Sequence, residues 1–189
     1  MRKPFAFIVF VLIVQSCSPY RSLERDNPVR PLPKVPAGIT GRFEDLKSPP
    51  TADTVRLGRW LFFDRRLSAD GSVSCATCHQ PDHAFSEGTA VSTGIRGQKG
   101  NRKAPSFVNQ AWTLYPNFFW DGRAQSLEEQ AAGPMANPIE MGHTHEAIVN
   151  HLRGIKGYRY YFEHAFGTDE ITLDRITKAI ADYERTRLS

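Results

Sequence analysis

The sequence predicts a mainly α fold threaded with long ordered loops. Apolar residues recur at helical spacing in several separate segments. Glycine and proline number 14 and 13 among 189 residues, more than a tight regular bundle uses. A single Cys75-Ala76-Thr77-Cys78-His79 motif sits in the loop-rich part. Asp53 stands where it would cap a first helix that carries Val55, Leu57, Trp60 and Leu61 toward a core. Residues 64–74 read as a loop delivering the motif. Residues 81–115 are glycine-rich with little sustained periodicity, so they need a rigid partner to pack on. Ser126, with Glu129 three residues later, has the spacing of a capping box. Thr144 opens another helix, with Ile148, Val149 and Leu152 as its apolar side. Residues 158–166 are aromatic and helical. The last helix begins near Thr172, where Leu173, Ile176, Ile180 and Tyr183 follow helical spacing. No internal repeat is evident.

The length suits one ordinary domain with a real core. A formal charge of +4 without a clustered basic face excludes a nucleic-acid binder. Arg2 and Lys3 precede a hydrophobic run from Phe5 to Val14, too short for a membrane span. Val14-Gln15-Ser16-Cys17 resembles a lipobox, with Cys17 as the lipidated first mature residue; Gln15 is an unusual occupant, and cleavage nearby without lipid is the alternative. The expected organisation is a lipoprotein-type signal peptide over residues 1–16 and a tether or extended segment, rich in Pro, Arg and Ser, over 17–50. The domain follows over 51–189. The expected location is the periplasm, with a lipid anchor in the inner or outer membrane. If Cys17 carries lipid, Cys75 and Cys78 are the only thiols left.

Two thiols at CxxC spacing followed directly by histidine form a haem c attachment site. Cys75 and Cys78 would bond the two vinyl groups of one haem, and His79 would ligate the iron as proximal ligand. A zinc site needs about two further soft ligands, and Cys17 is the only other cysteine. A redox CxxC belongs between a strand and a helix, a context this segment lacks. The chain thus reads as a cytochrome c-like haem domain holding one covalent haem c. The sixth iron position decides its function, because a strong ligand gives electron transfer whereas an open site permits peroxide chemistry. Residue type alone leaves His83, His143, His145, His151, His164, Met135 and Met141 as candidates.

The ordered motifs carry a family resemblance. They run through Leu57-Gly58, Leu61-Phe62-Phe63-Asp64, Arg66-Leu67-Ser68 and Ser74 with the CxxCH. Ala84-Phe85, Gly88, Ser92, Gly94, Arg102 and Ala104-Pro105-Ser106 follow. Then come Phe119-Trp120-Asp121-Gly122-Arg123, Ser126-Leu127, Gln130, Gly133-Pro134 and Glu140-Met141. This set, over roughly residues 55–185, resembles the N-terminal, peroxidatic half of the bacterial di-haem cytochrome c peroxidases. FWDGR followed by Gln130 and Glu140 is its most specific part.

The resemblance implies that Glu140 is the acid/base above the haem, taking a proton from hydrogen peroxide and returning it to the leaving oxygen. It implies that Gln130 orients peroxide and that Trp120 lies on the electron path between two haems. Composition alone would leave Glu140 a solvated loop residue, Trp120 a core anchor and Gln130 a surface helix position. Arg102 is placed to meet a haem propionate or to stand free on the surface. Asp121 and Arg123 bracket Gly122 and are expected to pair as loop architecture.

Three departures from the pattern stand out. Many members carry a releasable iron-capping histidine where this chain has Ile95, whose hydrocarbon side chain cannot ligate, so the haem is expected to be open. Lys103 replaces an asparagine beside the family's interdomain calcium, and an ammonium puts that calcium in doubt. The sequence carries one CxxCH, whereas the resemblance implies a C-terminal domain with another. The expectation is a truncated reading frame, with the second haem c supplied by a missing domain or partner and the lone domain weakly active or inactive. The expected reaction is reduction of hydrogen peroxide to water with electrons relayed from that second haem. A small cytochrome c, a cupredoxin or a quinol-linked donor would supply the electrons, and a homodimer is the oligomer the resemblance allows. The alternatives are an electron-transfer c-type cytochrome, or an open-haem oxidase of another protein or an organic substrate.

Overall fold

The computed structural model describes residues 20–113, 115 and 117–189; the export signal and Cys17 lie outside the described residues. Seven α-helices are present among them: α1 (Arg21–Asp26), α2 (Ala52–Phe63), α3 (Cys75–Cys78), α4 (Leu127–Ala136), α5 (His145–Arg153), α6 (Lys156–Phe166) and α7 (Leu173–Arg185). Short 3-10 turns and isolated bridges punctuate the loops. No sheet forms among the described residues, and the fold is mainly α, as the periodicity predicts.

α2 and α7 form the central pair. Leu57, Leu61, Ile176 and Ile180 are fully buried between elements, each contributing about 1.5–3 kcal/mol over an exposed position. Gly58 sets how closely the two helices approach, because a Cβ there would lie 1.8 Å from the Ala179 carbonyl oxygen. Leu173, at the start of the apolar stripe of α7, is half-buried.

The helix starts follow local hydrogen-bond chemistry. Thr51, not Asp53, caps α2. Its Oγ1 accepts from the Thr54 amide at 3.1 Å, while its own amide donates to Thr54 Oγ1 at 2.9 Å. Asp53 falls inside the first turn and pairs with Arg56 at 3.0 Å, because the hydroxyl three residues ahead of Thr54 reaches that amide first. Ser126 Oγ accepts from the Glu129 amide at 3.0 Å, but Glu129 Oε2 turns to the Gln125 amide, so half of the predicted box forms. Thr144 and Thr172 cap α5 and α7 through the Ala147 and Arg175 amides.

α1 lies against α6. The Tyr20 and Tyr160 rings stack at 4.6 Å, and the Tyr160 and Tyr161 hydroxyls donate to Glu24 Oε1 and the Leu23 carbonyl. Arg59 of α2 donates to Asn27 Oδ1 at 2.7 Å. Part of the segment read as a tether therefore packs on the body.

Candidate haem site

α3 is one turn of helix, which brings Cys75 and Cys78 onto the wall of a single cavity of about 340 Å³ together with His79. Burial pushes both thiols up to about 12, which disfavours the thiolate form that a redox pair uses. Behind the histidine the chain turns sharply. Ala84 and Phe85 both have left-handed backbone, with φ of 52° and 56°, at a cost of ~1–3 kcal/mol each. That turn brings the Phe85 carbonyl to 3.0 Å from His79 Nδ1. A carbonyl only accepts, so Nδ1 carries the proton and the Nε2 lone pair is left for a metal. Burial also lowers the His79 pKa and favours the neutral ring a metal needs. Phe107 backs the ring at 5.2 Å and Phe85 packs on Phe107 at 4.8 Å.

The carboxylate loop enters from α4. Pro134 removes a helical donor near its end, and the Met141 amide folds back to the Pro134 carbonyl at 3.2 Å. Asn137 then organises the turn. Its Oδ1 accepts from the Ile139 amide at 3.0 Å and its Nδ2 donates to Glu140 Oε1 at 3.1 Å. Burial raises the Glu140 pKa, opposed by the Arg123 charge and the Asn137 hydrogen bond. Gly94 makes room for this loop, since a Cβ would lie 1.9 Å from the Ile139 carbonyl oxygen. The Ile95 amide donates to the Glu140 carbonyl at 2.9 Å. The Ile95 side chain is buried in the core, off the cavity wall, so at this position the chain holds the acid loop in place.

The FWDGR turn is closed by Phe118 and Ala124, whose backbones exchange hydrogen bonds of 2.7 and 3.4 Å. Arg123 Nη1 donates to both Asp121 oxygens at 2.8 and 2.9 Å, which is the expected pairing. Its guanidinium carbon also lies 3.6 Å from the Phe119 ring centre. Trp120 is 58% exposed, so it is not a core anchor. Its indole donates to the Lys103 carbonyl at 2.8 Å. Arg102 is exposed and stands 3.5 Å from Asp121.

Cys75, Cys78, His79, Arg102, Trp120, Gln130 and Glu140 thus all line one cavity. Of the seven candidate sixth ligands, only Met141 also lines it. Met135 is fully buried in the core. His83, His145 and His164 use ring nitrogens on Gln80, the Ala132 carbonyl and the Tyr160 carbonyl. Sequence reasoning passed over Asn137, Glu87 and Glu184. Asn137 had a readable signal as an Asx residue three before the acid. Glu184 had one too, four residues after Ile180 on the apolar side of α7. Glu87 is placed only by the fold: its Oε2 accepts from Ser92 Oγ and from the Ala104 amide at 2.9 Å.

A paired-thiol helical turn, a tautomer-locked histidine and an acid-lined cavity are the groups that a c-type haem domain needs, and the donor set fits haem. The particular family follows from comparison with known proteins. Residues 52–189 match the family described as di-haem cytochrome c peroxidase, and the chain belongs to it. It is 45% identical over 155 residues to a cytochrome c551 peroxidase of Nitrosomonas europaea, covering 79% of this chain and 46% of the relative. It is 42% identical over 144 residues to the methylamine utilization protein MauG of Methylophilus methylotrophus, covering 76% and 42%. Among solved structures, a MauG-like protein associated with microbial copper homeostasis superposes with a TM-score of 0.68 at 34% identity, covering 85% of this chain and 45% of that one. The diheme peroxidase BthA of Burkholderia thailandensis gives 0.61 at 25%, covering 84% and 45%. The chain spans just under half the length of these relatives.

Proposed function

We propose that this chain is the peroxide-reducing haem c domain of its family, accepting electrons from a second haem. The convergence of Cys75, Cys78 and His79 with Glu140 and Gln130 on one cavity carries this reading. Haem, when bound, supplies an iron centre that exchanges electrons with peroxide. The chain's own groups handle orientation and protons. Ionised Glu140 accepts a proton from hydrogen peroxide and hands it to the departing oxygen. The Gln130 amide orients the peroxide by hydrogen bonding. Asn137 holds Glu140, and the Arg123 charge favours the ionised form that a base needs. The net reaction consumes one peroxide, two electrons and two protons and yields two waters. Trp120, exposed at the cavity mouth, is the contact through which a second haem domain delivers the electrons.

Lipidation at Cys17, a periplasmic location and a small cytochrome c, cupredoxin or quinol-linked donor belong to the same proposal. No helix among the described residues is long and apolar enough to cross a membrane. Co-expression with a c-type maturation system tests the reading. The mature chain should gain the mass of one haem, and Cys75→Ala and Cys78→Ala should each lose the stable double linkage. Supplied with an electron-donating domain, the loaded chain should turn over peroxide. Glu140→Gln should cut that rate by about 10²–10⁴-fold with the haem spectrum retained. A full rate in Glu140→Gln removes the acid from its role.

A further inference from the structure

The proposed mechanism leaves one buried acid of the cavity unused. Glu184, on the last turn of α7, is 3% exposed. It lines the same cavity as Cys75 and Ile180, and its Oε2 has no hydrogen-bond partner. The charged side chains around it are committed to one another. Arg185 pairs with Glu128 of α4 at 2.8 Å and with Asp182 at 3.0 Å, and Lys178 closes on Asp182 from the previous turn. Arg185 favours the anion at Glu184, and Glu128 disfavours it. From α3, Cys75 senses Glu184 electrostatically. Tyr183 does so as well, and it is itself influenced by Arg187 and by Arg59 of α2. Burial outweighs the one favourable cation and pushes the Glu184 carboxyl up to about 8, so it is poised to change charge near neutral pH.

With haem bound, a buried carboxyl sharing the cavity wall with Cys75 would feel the charge of the iron, because little water screens it. Adding an electron makes a nearby anion less favourable. We propose that Glu184 is a redox-linked acid of the haem site: it takes up one proton from solvent water when the iron accepts an electron and releases it when the electron leaves. The electron comes from the donor that the peroxidase reaction already requires, so charge and protons balance. This inference rests on the haem-domain reading above and adds to it a store for one of the two protons consumed. The cavity opens at the exposed Asn101, Arg102 and Trp120, which gives protons a way in.

The test is an optical redox titration of the haem-loaded full chain at several pH values on either side of about 8. The midpoint potential should fall as pH rises, approaching about 59 mV for each tenfold drop in proton concentration. In Glu184→Gln, which keeps the shape and removes the titration, the potential should become nearly independent of pH over that range. A slope that persists in Glu184→Gln, or that disappears instead in Glu140→Gln, overturns the proposal. Should Glu184→Gln fail to load haem, redox-difference infrared spectra of the unmodified protein and of Glu184→Asp decide. Reduction must then produce the carbonyl stretch of a protonated carboxyl, displaced in Glu184→Asp, and its absence overturns the proposal. A chain that gains no haem mass sinks the underlying reading and this one together. A loaded chain with an unaltered slope sinks this one alone.

Discussion

Asn137 Nδ2 donates a 3.1 Å hydrogen bond to Glu140 Oε1, tying the acid to the end of the helix that delivers it. Burial pushes the Glu140 carboxyl above its ordinary range, while Arg123 and Asn137 pull it down. The base proposed for Glu140 must be ionised, so if the chain turns over peroxide as proposed, that rate should fall as pH drops through the raised pKa. Asn137→Ala removes one of the two lowering influences, and the acid limb of kcat/KM should move to higher pH. The pH profile of the two proteins checks this, and an unmoved limb would detach Asn137 from the acid.

Gly94→Ala tests how the loop is seated. Its new methyl would collide with the Ile139 carbonyl oxygen, one residue before the acid. Displacing Glu140 by about 1 Å is enough to cost on the order of 10²-fold in rate. We expect kcat to drop far more than the melting temperature, with haem content retained.

Gly58→Ala should do the reverse. Its methyl meets the Ala179 carbonyl oxygen on α7, a backbone atom that cannot swing away. Overpacking of this kind costs about 1–3 kcal/mol. Denaturant unfolding of the haem-loaded chain should show this loss, with the optical spectrum of the folded fraction unchanged.

Arg185→Leu probes the charged end of α7. Asp182 is fully buried and held by Lys178 and Arg185, and Glu128 loses its cation as well. Breaking a buried pair costs about 3–5 kcal/mol, and the surviving Lys178 places the expected loss near the lower figure. A melting temperature within a degree or so of the parent protein's would show that Lys178 alone satisfies the site.

Met141 is the residue on which to test whether the haem iron is open. It is the one candidate ligand on the cavity wall, next to Glu140. Paramagnetic resonance of the resting ferric protein should show a high-spin signal in both the parent chain and Met141→Leu. A low-spin signal that turns high-spin in Met141→Leu would instead make Met141 the sixth ligand.

The sequence by itself determined the elements whose signals are local. The CxxCH spacing, the threonine caps of α5 and α7 and the stripe of Ile176, Ile180 and Tyr183 depend on neighbours within one or two turns. Even there a neighbouring group can win: Thr51 took the cap expected of Asp53, and Glu129 accepts from the Gln125 amide rather than that of Ser126. The motif order also placed the chain in its family. Only the tertiary structure decided which side chains share a wall. Nothing in the spacing says that Ile95 turns into the core while its amide holds Glu140, or that Met141 alone among seven candidates reaches the cavity. Nor does it show that Glu184 ends with an unpaired oxygen in the same space as Cys75. Burial and charge pairing sum over groups distant in sequence, so those properties come into being only when the loops close over α2 and α7.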